Sequence, residues 1–161
     1  MGDQDEKKGG EEPESPAATP LARKLGVRED TRVLLLDPPV GFARKLEPLP
    51  PGAGVGTRPY GQADLICIFA SSQAVLAELF AKAAKTMAPR ARIWACWPRK
   101  SAGMFTDLSE DAVRRAGLEL ALSDDKILQL DDTWMALRFV FKERPRLQRP
   151  STSPGVERTS S

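Results

Sequence analysis

The sequence predicts an α/β fold of three layers, a mostly parallel sheet between two sets of helices. Three observations predict it. Runs of strand length, RVLLL at Arg32–Leu36, ADLICIFA at Ala63–Ala70 and RIWACW at Arg92–Trp97, alternate with segments of helical spacing. The second and third runs are apolar throughout, as expected of strands covered on both faces. The connections between them are short and rich in Pro, Gly and Ser. The expected strand order is 2-1-3-4-6-5 with the sixth strand antiparallel.

The elements follow in order. Thr19 and Pro20 form a cap and first turn for a short opening helix with Leu21, Ala22 and Leu25 on its apolar face, ended by Gly26. Strand one, Arg32–Leu36, closes at Asp37-Pro38-Pro39, where two missing N–H groups forbid further central pairing. A brief helix is expected over Val40–Leu46, then a stiff Pro and Gly connection to a weak edge strand at Val55–Arg58. Strand three, Ala63–Ala70, is the candidate for the centre of the sheet. Ser71 and Ser72 suit the cap of a helix whose apolar positions run from Val75 to Met87, with Pro89 ending it. Strand four, Arg92–Trp97, completes a right-handed β-α-β unit. A helix is predicted over Thr106–Gly117, with Ser109 available as its cap, Glu110 and Asp111 in its first turn and Gly117 as its stop. Leu118–Leu122 is expected as strand five, Ser123–Thr133 as a long connection, and Trp134–Lys142 as the last strand.

At 161 residues, 41% of them hydrophobic, the chain has room for one core and not two. Residues 1–19 hold six acidic residues and two lysines among Gly, Pro and Ala, which predicts a disordered acidic arm. Residues 143–161 are rich in Pro, Ser, Thr and Arg, which predicts a disordered tail around a folded unit at 20–142. The net charge of +2 is spread too thinly for a nucleic-acid face. No apolar stretch is long enough for a bilayer and the acidic start has the wrong sign for a signal peptide, so a cytoplasmic protein is expected. Histidine is absent, which removes Ser-His-Asp and Cys-His triads and histidine metal sites. Cys67 and Cys96 fall inside apolar runs, where cysteine acts as a small hydrophobe; the other reading is a redox pair on adjacent strands.

In a sheet of this kind ligands sit beyond the carboxyl ends of the strands, near the point where strand order reverses. Four segments are expected there: Asp37–Phe42, Ser71 and Ser72, Trp97–Phe105, and Ser123–Trp134. Candidate ligand-binding residues are therefore Asp37, Ser71, Ser72, Trp97, Lys100, Asp124, Lys126, Asp131, Trp134 and Arg138, around one cleft. Lys100 reads as a phosphate or carboxylate contact, or as a solvated lysine. Asp124, Asp125, Asp131 and Asp132 lack calcium-loop spacing, and equally make turns or pair with Lys126 and Arg138; no metal is assigned to them. Trp97 and Trp134 read as a stacking floor or as closure of the core. No catalytic residue and no cofactor is assigned. Strand one is followed by two prolines where a dinucleotide or S-adenosylmethionine fold wants glycines, and no GxxxxGK loop occurs.

Five stretches, TPLARKLGV from Thr19, VLLLDPPVGF from Val33, IWACWPRKSAG from Ile93, TDLSEDAVRRAGL from Thr106 and DDKILQLDDTWMALRFV from Asp124, together give a resemblance. The chain resembles a bacterial family of small proteins grouped as a domain of unknown function. Lys100, Lys126, Asp131, Trp134 and Arg138 match the family's pattern, whereas Arg99 stands for its lysine and Met135-Ala136 for its serine-glycine. The resemblance implies a Rossmann-like fold similar to a trimmed methyltransferase domain, with no activity, cofactor or partner attached. The functional expectation is a domain that binds a small anionic ligand or a protein partner without established catalysis. The alternatives are a methyltransferase using S-adenosylmethionine, and a regulator or scaffold acting through its arms.

Overall fold

A computed structural model describes residues 19–59 and 61–141. The expected tail, and all of the expected arm except Thr19, lie outside them. The elements are α1 (Pro20–Leu25), β1 (Arg32–Leu36), α2 (Phe42–Lys45), β2 (Gly54–Gly56), β3 (Ala63–Phe69), α3 (Gln73–Thr86), β4 (Met87–Pro98), a 3-10 turn (Lys100–Ala102), α4 (Glu110–Leu118), β5 (Leu122–Gln129) and β6 (Trp134–Phe141). They build one six-stranded sheet of order β2-β1-β3-β4-β6-β5, as the sequence predicts. The β2-β1, β1-β3 and β3-β4 pairs are parallel, and β6 runs antiparallel to both β4 and β5.

Caps set the helix starts. Thr19 Oγ1 accepts from the Ala22 N–H at 3.1 Å and donates to the Leu46 carbonyl at 3.1 Å, so one hydroxyl starts α1 and ties it to the end of α2. Gly26 ends α1 at φ 91°, a conformation that other residues rarely adopt.

Because side chains alternate across a strand, the sheet has two apolar faces. Leu34, Ile66, Ile68, Ile93, Leu137 and Phe139 face Leu76, Phe80 and Val113 of α3 and α4. Val33, Leu35, Leu65, Trp94 and Ala136 face Ala22, Leu25 and Phe42 of α1 and α2. The indole of Trp94, fully buried, donates through Nε1 to the Leu25 carbonyl at 2.9 Å and so fastens α1 to the middle of the sheet. On the other face the rings of Phe80 and Phe139 meet edge to face at 5.4 Å.

Several expected boundaries are corrected. Strand four starts at Met87, and Pro89 lies inside it. The pairing shifts between Ala63↔Met87 and Leu65↔Arg92, so Pro89 occupies a bulge where its missing N–H costs no ladder bond. Strand two is Gly54–Gly56, ending opposite Leu34, rather than Val55–Arg58. Helix α4 begins at Glu110 and not at Thr106, because the Thr106 hydroxyl and Asp107 are bound to the start of α3. Gly117 does not stop that helix; it is buried within it, and a Cβ there would collide with the Phe139 ring. The largest correction concerns Ser123–Thr133. Most of this expected connection is strand, with Leu122–Gln129 forming β5 and only 130–133 left as a loop before β6.

Cys67 and Cys96 are free, buried thiols on the α1 face. Burial pushes the Cys67 thiol from 9.0 up to about 12. Burial, with the nearby Cys67 and Asp131 charges, raises Cys96 as well. Both thiols stay protonated in the folded chain while those of the unfolded chain ionise above about pH 9. The unfolded state is then favoured by its proton loss, so stability is intact below pH 9 and falls from there towards pH 12. Urea unfolding across that window is expected to show a loss of up to about 1.4 kcal/mol per pH unit for each thiol, reduced when both are replaced by alanine. A flat profile would contradict this.

Candidate functional site

The carboxyl ends of β1, β3 and β4 form one rim, joined there by the β5-β6 loop. At the end of β1, Asp37 is exposed and takes φ 54°, in the left-handed region that Asp tolerates better than most residues. Pro38 and Pro39 follow, then Val40, wholly exposed, and Gly41 at φ 83° with open space where a Cβ would stand. This turn sits where the order reverses, with β2 on one side of β1 and β3 on the other.

Beyond β3, Ser72 caps α3, its Oγ accepting from the Val75 N–H at 3.2 Å. The Ser71 carbonyl accepts from the Thr106 hydroxyl at 2.6 Å. Sequence reasoning offered the start of α3 to an anion, and the structure corrects this. The Gln73 N–H already donates to the Asp107 carboxylate at 2.8 Å, while Gln73 Nε2 donates to the Asp107 carbonyl at 3.1 Å. The chain supplies its own anion. Asp107 and Thr106 were missed because a TDLS segment reads as the beginning of a helix, and nothing local says that both side chains cross to another element.

After β4, the Arg99 N–H donates to the Thr133 carbonyl at 2.7 Å, and its Nη1 to the Asp132 carbonyl at 3.2 Å, so the β4 exit and the β5-β6 loop are laced together. Asp131 shapes that loop. Its Oδ1 accepts from the N–H groups of Thr133 and Trp134 at 2.8 and 2.9 Å, and its Oδ2 meets Lys45 Nζ at 3.3 Å. Partial burial pushes the Asp131 carboxyl up, but these donors outweigh it and hold the group below the usual carboxylate value.

The expected single cleft is divided by the sheet. Trp97 packs on the α3-α4 face, and Trp134 on the opposite face, edge to face with Phe69 at 5.2 Å. Lys100 belongs with Trp97; Asp131 and Lys45 belong with Trp134. Asp124, Lys126 and Arg138 are not at the rim at all. They lie within the strands, Asp124 opposite Phe139 and Lys126 opposite Arg138. Arg114 Nε pairs with Asp124 at 3.2 Å. Arg138 forks onto Asp125 at 2.8 and 3.1 Å, its guanidinium 5.8 Å from the Trp94 ring centroid. Among the described residues no group of three His, Cys, Asp or Glu side chains could hold a metal, and no helix is long and apolar enough to cross a membrane.

No protein-family model and no curated protein sequence matches the chain. The resemblance to the family of unknown function therefore rests on its motifs alone. Solved structures do match. A SAM dependent methyltransferase from Aquifex aeolicus superposes with a TM-score of 0.54 at 12% identity, over 75% of this chain and 87% of that one. The chain shares a Rossmann-like fold with this methyltransferase. The N-methyltransferase NodS from Bradyrhizobium japonicum, in complex with S-adenosyl-L-homocysteine, gives a TM-score of 0.52 at 14% identity over 77% and 89% of the two chains. The ribosomal protein L11 methylase of Lactobacillus delbrueckii gives 0.51 at 10% identity over 76% of each. At these identities the likeness is one of methyltransferase architecture, and function has to be argued from the site.

Proposed function

We propose that this methyltransferase-fold domain binds S-adenosylmethionine, or a ligand of the same adenosyl class, at the switch between β1 and β3. One observation carries the reading. At the place where ligands of doubly wound sheets bind, the chain exposes a carboxylate, Asp37, on a turn bent into the left-handed region at both Asp37 and Gly41. NodS, of the same fold, is described with S-adenosyl-L-homocysteine bound.

The residues fit such a ligand in part. Pro38 and Pro39 withhold two of the N–H donors that a glycine-rich turn would present. Thr57 and Arg58 follow β2, where an acidic residue usually takes the ribose hydroxyls. Asp37 is thus the carboxylate left to accept from those hydroxyls or from the ligand's ammonium group. The open backbone at Gly41 leaves room beside it. When bound, S-adenosylmethionine supplies an electrophilic methyl group; Asp37 and the Gly41 turn bind and orient. The two prolines favour a second reading, in which the domain binds without transferring the methyl group.

Calorimetry on the full chain tests both. Asp37→Asn keeps a residue that accepts the left-handed turn and removes the charge. It is expected to weaken S-adenosylmethionine binding about tenfold, the value of one charge-assisted hydrogen bond, with thermal stability changed by no more than about 0.5 kcal/mol. Wild-type protein that takes up no S-adenosylmethionine ends the proposal. Binding without product in a methyl-transfer assay leaves the second reading.

A further inference from the structure

Between the 3-10 turn after β4 and the first turn of α4 lies a cleft of about 610 Å³, within the size range of small-molecule sites. Its floor is apolar. Trp97 and Leu108 are each 5% exposed, and Met135 stands beside Trp97 across the β4-β6 pair. Its upper wall carries Lys100, Ser101 and Ser109. Among the described residues the Lys100 side chain makes no hydrogen bond or ion pair, so its ammonium group is available.

The acids on the wall have a partner of their own. Glu110 and Asp111 are both held by Arg114, at 2.6 and 3.2 Å, along α4 itself. Arg99 bonds only neutral carbonyl oxygen through its Nη1, which keeps a second uncompensated positive charge at the rim. The cleft therefore sets two cations, Arg99 and Lys100, on its β4 side and two carboxylates, Glu110 and Asp111, engaged by Arg114 on its α4 side, above an apolar floor. An inorganic ion would leave that floor wet, and a neutral hydrocarbon would leave Lys100 unused.

We propose that this cleft is a binding site for a small organic carboxylate, its charged end on Lys100 and its apolar body on Trp97 and Met135. It is separate from the Asp37 turn and does not depend on an adenosyl ligand binding there. The test is calorimetric titration of the full chain with 1-naphthoate and with its neutral counterpart 1-naphthalenemethanol. Naphthoate is expected to bind at least about tenfold more tightly than the alcohol, and Lys100→Gln to remove that difference while leaving the alcohol unchanged. Amide shifts at Ser101 and Leu108 in a two-dimensional NMR titration should accompany binding. The proposal is overturned if naphthoate fails to bind at millimolar concentration, if Lys100→Gln binds it as well as wild type, or if those amides stay still.

Discussion

Trp94→Ala is expected to cost about 3 to 5 kcal/mol, much of the stability a domain of this size usually has. Three contributions add up at this residue. The indole is fully buried under α1, so truncation leaves a cavity that neighbours anchored in the sheet fill poorly. Its Nε1 is the donor to the Leu25 carbonyl, which would be left buried without it. Arg138 also loses the ring beneath its guanidinium, although its fork onto Asp125 remains. Trp94→Phe separates packing from the hydrogen bond, keeping an aromatic body, and should cost about 1 to 3 kcal/mol. Urea unfolding measures both. A loss below about 1 kcal/mol for the alanine variant would mean that α1 is not held through Trp94.

Gly117→Ala is expected to destabilise the fold by about 1 to 3 kcal/mol, the reverse of the usual outcome inside a helix. On helix propensity alone, alanine gains about 1 kcal/mol over glycine. Here the added methyl would run into the Phe139 ring, which is fully buried and set edge to face against Phe80, so it has nowhere to retreat. Either α4 lifts from β6 or the ring leaves its favoured rotamer. Adding Phe139→Leu should return part of the loss, because the collision disappears. If Gly117→Ala raises the melting temperature, the contact between α4 and β6 is looser than described.

How much of this was legible in the residues depends on how local the information was. Continuous apolar runs marked β1, β3 and β4, and single hydroxyls at Thr19 and Ser72 marked two helix starts where they are found. Strand β5 was expected too early, at Leu118–Leu122, because Asp124, Asp125 and Lys126 break the apolar pattern of its true span, Leu122–Gln129. They are tolerated there because Arg114 and Arg138, from two other elements, pair with the carboxylates. That one misreading displaced Asp124 and Lys126 from the sheet to the rim. The two tryptophans failed for a different reason. Trp97 pairs with Met135 and Trp134 with Pro98, so they stand one position apart in the ladder and point to opposite faces. Register of that kind depends on how two distant strands dock, which neither strand states alone. Asp37 and Lys100, which need only to follow a strand, are at the rim as expected.

The charged bulge in β5 has a further effect, on what happens between molecules. β5 is an outer strand of the sheet, and a long flat outer strand invites pairing with another chain. Here the ladder slips between Asp124 and Lys126, and Asp125 and Lys126 are exposed along it. An incoming strand would find neither a straight row of backbone partners nor an uncharged surface. At the opposite border, β2 is only three residues long and offers little to copy. Both borders thus discourage the edge-to-edge growth by which β-rich proteins aggregate.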